Sequence, residues 1–286
     1  MTTIDIKELQ KWIGHAETKT DRVTQAPVDI MAATLDRDDR SLQLGTVLPL
    51  PWHWLYFLPN TRSKDPNFDG HPRAGTFLPP APLPRRMWAG SRISADGAPL
   101  KVGDCVTRES TIAAIKDKTG TSGDLIFIQV RHRISSAHGL SLIEEQDIVY
   151  RAEPSANIPS APGKAARLDH QWVRKIVPSA ALLFRFSALT FNSHRIHYDQ
   201  PYATQVEGYP GLVVHGPLIA TLLLDLVYRE LPDIRVKRFE FRAVKPLFDI
   251  APFYVCAAPV PGKKSLTLWA KDDNGFVATE ASLDFE

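Results

Sequence analysis

Two stretches of the chain alternate apolar and polar residues with a period of two. The first covers residues 99–151 and the second covers residues 236–285. Turn-forming segments interrupt both stretches, as TGTSGD and SAHG in the first and as PGKK and DDNG in the second. Such alternation between turn residues is typical of antiparallel strands joined by hairpins. We therefore predict one set of strands in each half of the chain, and a weak internal repeat relates the two sets.

Three other segments carry helical spacing of apolar residues. Residues 3–13 and 25–35 each have one apolar face, whereas residues 216–231 are apolar nearly all round. A helix of the last kind has to be buried on every side. Residues 181–191, with the sequence ALLFRFSALTF, predict a strand before this helix. Buried helix and antiparallel strands together predict an α+β fold in which a sheet wraps a helix, once or twice.

The segment between residues 152 and 169 has no apolar periodicity and is rich in proline, alanine and serine. That composition is typical of a linker between domains. We therefore predict an N-terminal unit over residues 1–151 and a C-terminal unit over residues 170–286. Nine prolines fall between Pro49 and Pro84, among many aromatic residues, and predict an irregular but packed segment there.

The composition narrows the classes of function. Of 286 residues, 44% are hydrophobic and 23% are charged, and the formal net charge is +2, so no basic face for nucleic acid is indicated. The longest apolar stretch, Leu218 to Val227, is too short to span a membrane and contains Asp225. Two cysteines far apart favour a reducing compartment, and we predict a cytoplasmic location.

Candidate chemistry concentrates in the segment TFNSHRIHYD. Asn192, His194, His197 and Asp199 lie within eight residues of one another. Three interpretations stay open from the residues alone: polar side chains that satisfy a turn, a metal site that also uses His215, and acid–base chemistry on water. The metal interpretation lacks the HExxH and CxxC patterns, so we expect no metal. Histidine exchanges protons near neutral pH, and asparagine can hold a water molecule.

The long helix is predicted to begin at Gly216, because Pro217 suits a first helical turn. Glycine at this point lets a ligand approach the backbone closely. The positive end of the helix dipole favours negative charge that develops there, such as an enolate oxygen formed from a thioester. A simple helix start would have the same sequence.

Taken together, these residues resemble the MaoC-like hydratase and dehydratase family, whose members have the hot-dog fold. Asn192 and His197 match the spacing of the family's site motif, Ile196 matches its apolar position, and His215-Gly216 matches the start of its central helix. The family's usual aspartate is Asn192 here, and its usual Asn-Pro is His194-Arg195. LPRRMWAGSRI, from Leu83 to Ile93, is similar to a bacterial group with a double hot-dog chain. The resemblance thus implies a double hot dog with a degenerate first unit.

The same resemblance implies a function. The bacterial group adds water to branched unsaturated dicarboxylyl-CoA esters, taking itaconyl-CoA or 3-methylfumaryl-CoA (mesaconyl-CoA) to citramalyl-CoA. On that basis His197 moves the proton, Asn192 positions the water and Gly216 N–H stabilises the enolate. The substrate is expected to contact His194, Arg195, His215 and Arg86, and the two arginines are candidates to bind its second carboxylate. No cofactor is implied, because CoA is part of the substrate.

Two other functions compete with this interpretation. One is a 3-hydroxyacyl-thioester dehydratase of fatty-acid synthesis, which needs a long apolar tunnel. The other is a non-catalytic hot-dog protein that binds acyl-CoA. Cations of the strand VKRFEFR are candidates for the CoA phosphates, namely Arg235, Lys237, Arg238 and Arg242. A homo-oligomer is compatible with all three functions.

Overall fold

The computed structural model describes residues 5–38, 42–64, 66–120, 123–152 and 163–286. The four helices are α1 (Ile6–Gln10), α2 (Gln25–Thr34), α3 (Ala180–Leu189) and α4 (Gly216–Glu230). The first five strands are β1 (Ala16–Arg22), β2 (Arg85–Ser94), β3 (Cys105–Gly120), β4 (Gly123–Ser136) and β5 (Gly139–Arg151). The other five are β6 (Trp172–Ile176), β7 (Val236–Ala243), β8 (Phe253–Pro259), β9 (Ser265–Asp272) and β10 (Val277–Phe285).

The strands form a single antiparallel sheet in the order β1-β3-β4-β5-β2-β7-β10-β9-β8-β6. Read inward from either edge, each half of the sheet has the same order: its first, third, fourth, fifth and second strand. The halves meet where β2 pairs with β7, in a register that places Ser91 opposite Phe241. This repeated order is the double hot-dog architecture, so the expected α+β fold class is confirmed.

Helix α4 is the most deeply buried element of the second half. Every residue from Leu218 to Tyr228 is buried, and the helix packs against β2, β6, β8, β9 and β10. The sequence predicts this burial correctly, because a helix with apolar residues on all sides has no face that water stabilises. Within the described ranges, the search for helices long and apolar enough to cross a membrane finds none.

One buried acid on α4 connects it to the first half of the chain. The Asp225 carboxylate accepts hydrogen bonds from Arg37 (2.7 Å), Arg174 (2.6 Å) and Arg229 (2.9 Å). Arg229 also donates to the Leu35 carbonyl oxygen, at 2.8 Å, just beyond the end of α2. A buried carboxylate is tolerated because several cations compensate its charge.

Residues 181–191 differ from the expectation. The strand predicted there is wrong, since these residues belong to helix α3 and the turn after it. Ser179 caps the helix by accepting the Leu182 N–H at 3.2 Å, and the buried residues Leu183 and Phe186 lie on one helical face. A short apolar run does not distinguish the two periods, and the serine cap was the available signal. Most of the expected linker lies outside the described residues, and the predicted domain boundaries stay a prediction.

Candidate functional site

The histidine motif occupies the loop that follows α3. Phe191 adopts a left-handed backbone conformation with φ of 48°, and the Asn192 N–H donates to the Ser187 carbonyl oxygen at 2.8 Å. The chain then forms a short 3₁₀ turn, Arg195–His197. Reversal of the chain at the end of the helix turns the motif back toward the start of α4.

His197 is buried and its tautomer is set by the backbone. Its Nδ1 atom lies 2.7 Å from the Val213 carbonyl oxygen, which can only accept, so Nδ1 carries the hydrogen. Nε2 is left with a free lone pair. Burial lowers the pKa of His197 to about 4, although the bond to Val213 acts in the opposite direction. The ring is therefore neutral at physiological pH and able to accept a proton through Nε2.

His215 supports the His197 ring. The two imidazoles stack with centroids 3.7 Å apart and planes 19° apart. His215 Nε2 shares a 2.8 Å hydrogen bond with the Ser187 hydroxyl, and burial lowers the pKa of His215 well below its ordinary value. It is 1% exposed and does not line the cavity described below. The structure thus places His215 against the His197 ring and not in the cavity lining where a direct substrate contact was expected.

Asn192 and His194 lie on the open side of the loop. The Asn192 Oδ1 atom accepts the His194 N–H at 3.0 Å, which leaves the amide NH₂ group to donate elsewhere. The His194 ring meets the His197 ring edge-on, with centroids 5.4 Å apart. Burial and the neighbouring imidazoles hold the pKa of His194 well below its ordinary value. Both rings are therefore neutral, and Asn192 is free to hold the oxygen of a water molecule.

Helix α4 begins at Gly216, as the sequence predicts, and directs its first N–H groups toward the same space. Those N–H groups have no acceptor within the helix. A Cβ atom at position 216 would lie 3.6 Å from the Trp88 carbonyl oxygen, which is an ordinary contact. The fold therefore does not itself require glycine here. Absence of a side chain keeps the backbone N–H open to a ligand.

A cavity of about 860 Å³ brings these groups together. Its lining includes Asn192, His194, His197 and Gly216 from the C-terminal half, and β2 and the irregular segment before it from the N-terminal half. The catalytic trio expected from the sequence thus shares one space. The cavity lies between the two halves of the sheet, so neither half could form it alone.

One part of the cavity wall contains a buried acid. Glu144 is 1% exposed and accepts hydrogen bonds from His53 (2.9 Å), Trp54 (3.1 Å) and Ser91 (2.8 Å). Burial raises the pKa of a carboxyl group, but these bonds and the charge of His53 outweigh it, and the pKa of Glu144 falls to about 2. A fixed negative charge in this wall makes a poor environment for a long aliphatic chain.

The two arginines expected to bind substrate have different surroundings. Arg86, on β2, lines the cavity, and no ion pair joins it to any residue the structure describes. Arg195 points away from the cavity: it pairs with Asp199 at 2.8 Å and its guanidinium lies 4.1 Å from the centre of the Tyr202 ring. The expectation for Arg195 is therefore not supported, because its charge is already compensated, whereas Arg86 keeps its candidate role.

Two residues of the site were not predicted from the sequence. Asp69 and His71 come from the proline-rich segment and line the cavity next to His194. The His71 and His194 rings lie with their centroids 4.0 Å apart. The available signal was the sequence FDGHPR within a segment whose many aromatic residues already indicated order.

Comparison with known proteins gives the family. The model of the family "Hydroxyacyl-thioester dehydratase type 2" matches residues 51–249. A mesaconyl-C(4)-CoA hydratase of Chloroflexus aurantiacus is 44% identical over 274 residues, which cover 96% of each protein. The chain belongs to this MaoC-like family. The mitochondrial hydroxyacyl-thioester dehydratase type 2 of Schizosaccharomyces pombe is 27% identical over 82% of this chain and 88% of the relative.

Solved structures agree on the fold. A MaoC-like dehydratase of Phytophthora capsici superposes with a TM-score of 0.70 at 14% identity, covering 99% of this chain and 98% of the other. HtdX of Mycobacterium tuberculosis gives 0.64 at 19% identity, covering 94% of this chain and all of the other. The family and the close relative make the protein an enzyme of the hydro-lyase type, so the non-catalytic alternative is set aside.

The cations predicted to bind the CoA phosphates do not line the cavity. Arg235 and Lys237 pair with Glu286, and Arg242 pairs with Glu280 on the exposed part of β7. None of these four cations lines the cavity. Arg238 and Arg242 are exposed on the face of β7 opposite to the buried Phe239 and Phe241. Other cations line it instead: Lys19, Arg73, Arg85, Arg86, Arg108, Arg151 and Lys245.

Proposed function

We propose that the protein hydrates short, branched, unsaturated dicarboxylyl-CoA esters, with itaconyl-CoA or 3-methylfumaryl-CoA (mesaconyl-CoA) as substrate and citramalyl-CoA as product. The observation that carries the proposal is a cation, Arg86, which lines the same cavity as the histidine motif and forms no ion pair with any residue the structure describes. The 44% identity to a protein named mesaconyl-C(4)-CoA hydratase supports the same substrate class.

The proposed chemistry uses three groups. Asn192 holds a water molecule through its amide, and the neutral Nε2 atom of His197 takes a proton from that water as its oxygen bonds to the β-carbon. In 3-methylfumaryl-CoA the double bond is conjugated with the thioester, so its electrons move to the thioester oxygen, where the Gly216 N–H stabilises the enolate. Itaconyl-CoA, whose double bond is not conjugated, first loses an α-proton to His197 and is reprotonated at its CH₂ terminus to give the same conjugated ester. One such donor typically lowers the barrier by about 3–4 kcal/mol. Return of the proton to the α-carbon completes the addition, and no cofactor enters the step.

Arg86 distinguishes a dicarboxylate from a simple acyl chain. A guanidinium can bind a carboxylate through two parallel hydrogen bonds. Such a pair contributes to selection of the substrate. The buried acid Glu144 in the wall of the same cavity disfavours a long aliphatic chain beside it.

Dehydration of 3-hydroxyacyl thioesters is the second candidate function. The name of the S. pombe relative favours it, and the reaction is the reverse of the same chemistry. The difference lies in the acyl group, since a fatty-acid enzyme needs an apolar tunnel where this cavity has the Glu144 cluster.

The test is a panel of purified thioesters: mesaconyl-C(4)-CoA, itaconyl-CoA, crotonyl-CoA and a medium-chain 3-hydroxyacyl-CoA. We expect the highest kcat/KM with a dicarboxylyl ester. Arg86→Gln should lower kcat/KM for that ester by about 30-fold or more, because the charge-assisted contact with its second carboxylate is lost, and should change crotonyl-CoA turnover much less. Arg133→Gln, on an exposed part of β4, is the matched control. Preference for the medium-chain substrate would contradict the proposal.

A cytoplasmic location is part of the proposal. Both cysteines, the exposed Cys105 and the buried Cys256, are free thiols, which fits a reducing compartment. The homo-oligomer stays a prediction, and light scattering of the purified protein would check it.

A further inference from the structure

A segment of the N-terminal half is docked on the histidine loop. The Arg195 N–H donates to the Asp69 carbonyl oxygen at 2.9 Å, and the Ser193 hydroxyl donates to the Gly70 carbonyl oxygen. Gly70 has a φ of 90°, and a Cβ atom there would lie 1.9 Å from the Ser193 carbonyl oxygen. Only glycine fits this approach. The position of residues 69–71 against the site is therefore fixed by the backbone.

Asp69 orients the His71 ring. The Asp69 Oδ1 atom accepts the backbone N–H of His71 at 2.9 Å, and Oδ2 lies 3.0 Å from His71 Nδ1. A carboxylate accepts, so Nδ1 carries the hydrogen and Nε2 keeps a free lone pair. Asp69 is 6% exposed at its side chain and His71 is 16% exposed. This is the arrangement in which a carboxylate stabilises an imidazolium ion that forms during a reaction.

Three imidazoles follow one another across the site. The ring centroids of His197 and His194 are 5.4 Å apart, and those of His194 and His71 are 4.0 Å apart. The two outer rings differ in their Nδ1 partner, which is a backbone carbonyl for His197 and a carboxylate for His71. The Asp69 carboxylate favours a positive charge on His71, while burial lowers the pKa of both outer rings to about 4.

We propose that His71, positioned by Asp69, is a second proton-transfer residue of this cavity and returns the proton to the α-carbon of the substrate. The inference rests on the proposed hydration. It assigns to the N-terminal half a direct part in the chemistry, although the histidine motif and the oxyanion donor belong to the C-terminal half.

The proton balance closes without a further reactant. Water gives one proton to His197 Nε2 while its hydroxyl bonds to the β-carbon and the enolate forms. The proton passes to His71 by way of His194, and the Asp69 carboxylate offsets the positive charge there. His71 Nε2 then gives the proton to the α-carbon as the enolate electrons form the new C–H bond. All three rings end neutral, and one water molecule has been added.

The charges around His71 fit this role. Burial and the charge of Arg86 together lower the pKa of His71 to about 4, although Asp69 acts in the opposite direction. The ring is thus neutral before the substrate binds. A substrate carboxylate paired with Arg86 would compensate that cation, so it would raise the pKa of His71 when a proton has to be accepted.

A metal site is the competing interpretation of the same residues. One ligand atom from each of Asp69, His71 and His194 lies within 4.8 Å of the others. However, both oxygens of Asp69 already accept hydrogen bonds from His71, which leaves this carboxylate less free to coordinate an ion. The geometry points to proton transfer.

The test compares His71→Gln with the wild-type enzyme on the ester that the wild type turns over best. Glutamine keeps a polar side chain but cannot carry the proton. We expect kcat to fall by about 100-fold while KM changes by less than about threefold, because the lost step is chemical. Asp69→Asn should show a smaller loss of the same kind. His138→Gln, in the exposed β4–β5 turn, is the matched control and should behave as wild type.

Rescue separates proton transfer from a structural role. In His71→Ala, added imidazole should restore part of the lost kcat, since the free base occupies the vacated space. Circular dichroism shows whether each variant folds, and His71→Asn replaces a variant that does not. Retained kcat within about threefold in a folded His71→Gln enzyme, or no rescue by imidazole, overturns the inference.

Two further outcomes keep the proposals apart. Loss of wild-type activity with a chelator and its return with Zn²⁺ would show the metal site and would overturn the proton-transfer role. Absence of wild-type turnover on every enoyl thioester would contradict the proposed function itself. An active wild type with an unaffected His71→Gln variant would contradict this inference alone.

Discussion

Helices α2 and α4 occupy the two halves of one repeated sheet order but differ in burial and in what lies at their start. Helix α2 buries Val28, Met31, Ala32 and Thr34 and leaves Ile30 51% exposed. Helix α4 is buried from Leu218 to Tyr228. The start of α2 carries Thr24 without a side-chain cap, whereas α4 starts with the stacked His215 and the open Gly216.

This difference explains where the site forms. A fully enclosed helix presents its N-terminal N–H groups to a closed space, where their electrostatic effect is strong. A helix exposed on one side presents them to water. The N-terminal half contributes by other means: β2 brings Arg86, and the segment before it brings Asp69 and His71. In the proposed reaction, the C-terminal half would hold the oxyanion donor and the N-terminal half would contribute side chains around the substrate.

The largest effect on activity should come from His197→Gln. Loss of the proton acceptor should lower kcat by about 10²- to 10⁴-fold. Steady-state turnover of the preferred thioester measures it, with the exposed His138→Gln as control. A variant with nearly normal kcat would show that the C-terminal half does not hold the base.

The largest effect on stability should come from Asp225→Asn. The change leaves three guanidinium groups beside an uncharged, buried amide and removes the ion pair that joins Arg37 to α4. We expect the free energy of unfolding to fall by about 3–5 kcal/mol. Denaturant unfolding measures the loss. Asp147→Asn, from a partly exposed pair with Arg92, should cost less than about 1 kcal/mol.

Gly216→Ala should lower the activity without lowering the thermal stability. The added methyl group meets the Trp88 carbonyl oxygen at an ordinary distance of 3.6 Å, so Tm should stay unchanged. The same methyl group narrows the approach to the N–H, and misplacement of the thioester should lower kcat/KM by about 100-fold. A variant with a lowered Tm would indicate that the start of α4 needs glycine for packing.

The most gradual expected effect is a dependence of stability on pH that both halves share. Burial lowers the pKa of His197 to about 4, and burial also lowers the pKa of His132 in the N-terminal half to about 4. Between that value and the ordinary histidine value, the unfolded chain binds more protons than the folded protein. Stability should therefore decrease as pH falls from about 6.5 to about 4, by at most about 1.4 kcal/mol per pH unit for each histidine.

Unfolding curves at several pH values measure this dependence. The slope should become smaller in His132→Gln and in His197→Gln by similar amounts. An unchanged slope in one of them would show that its histidine is not buried in the neutral form.

The elements that a local sequence pattern predicts are present in the structure. The strands of residues 99–151 and 236–285, and the enclosed helix at 216–231, all appear within a few residues of their expected positions. Each rests on periodicity over eight or more residues. The prediction for residues 181–191 is wrong because this apolar run is too short to distinguish a strand from a helix, and only the Ser179 cap indicates the helix.

The residues of the candidate site also divide into those that a local pattern predicts and those that it does not. Asn192, His197 and Gly216 belong to motifs whose spacing is visible in the chain, and they share one cavity. Arg195 was expected in that cavity because of its residue type, but its charge is compensated by Asp199. Asp69 and His71 were not expected, because about 120 residues separate them from the loop they contact.

The amino-acid sequence by itself determines the repeated strands, the enclosed helix and the motif at its start, since these depend on neighbours within one element. Only the tertiary structure decides that Arg86 lines the cavity without an ion pair to a described residue and that His215 stacks on His197. It also decides that Asp69 and His71 line the same cavity. Those features depend on contacts between distant segments, and the energy of a charge or an imidazole is set by what surrounds it rather than by its position in the chain.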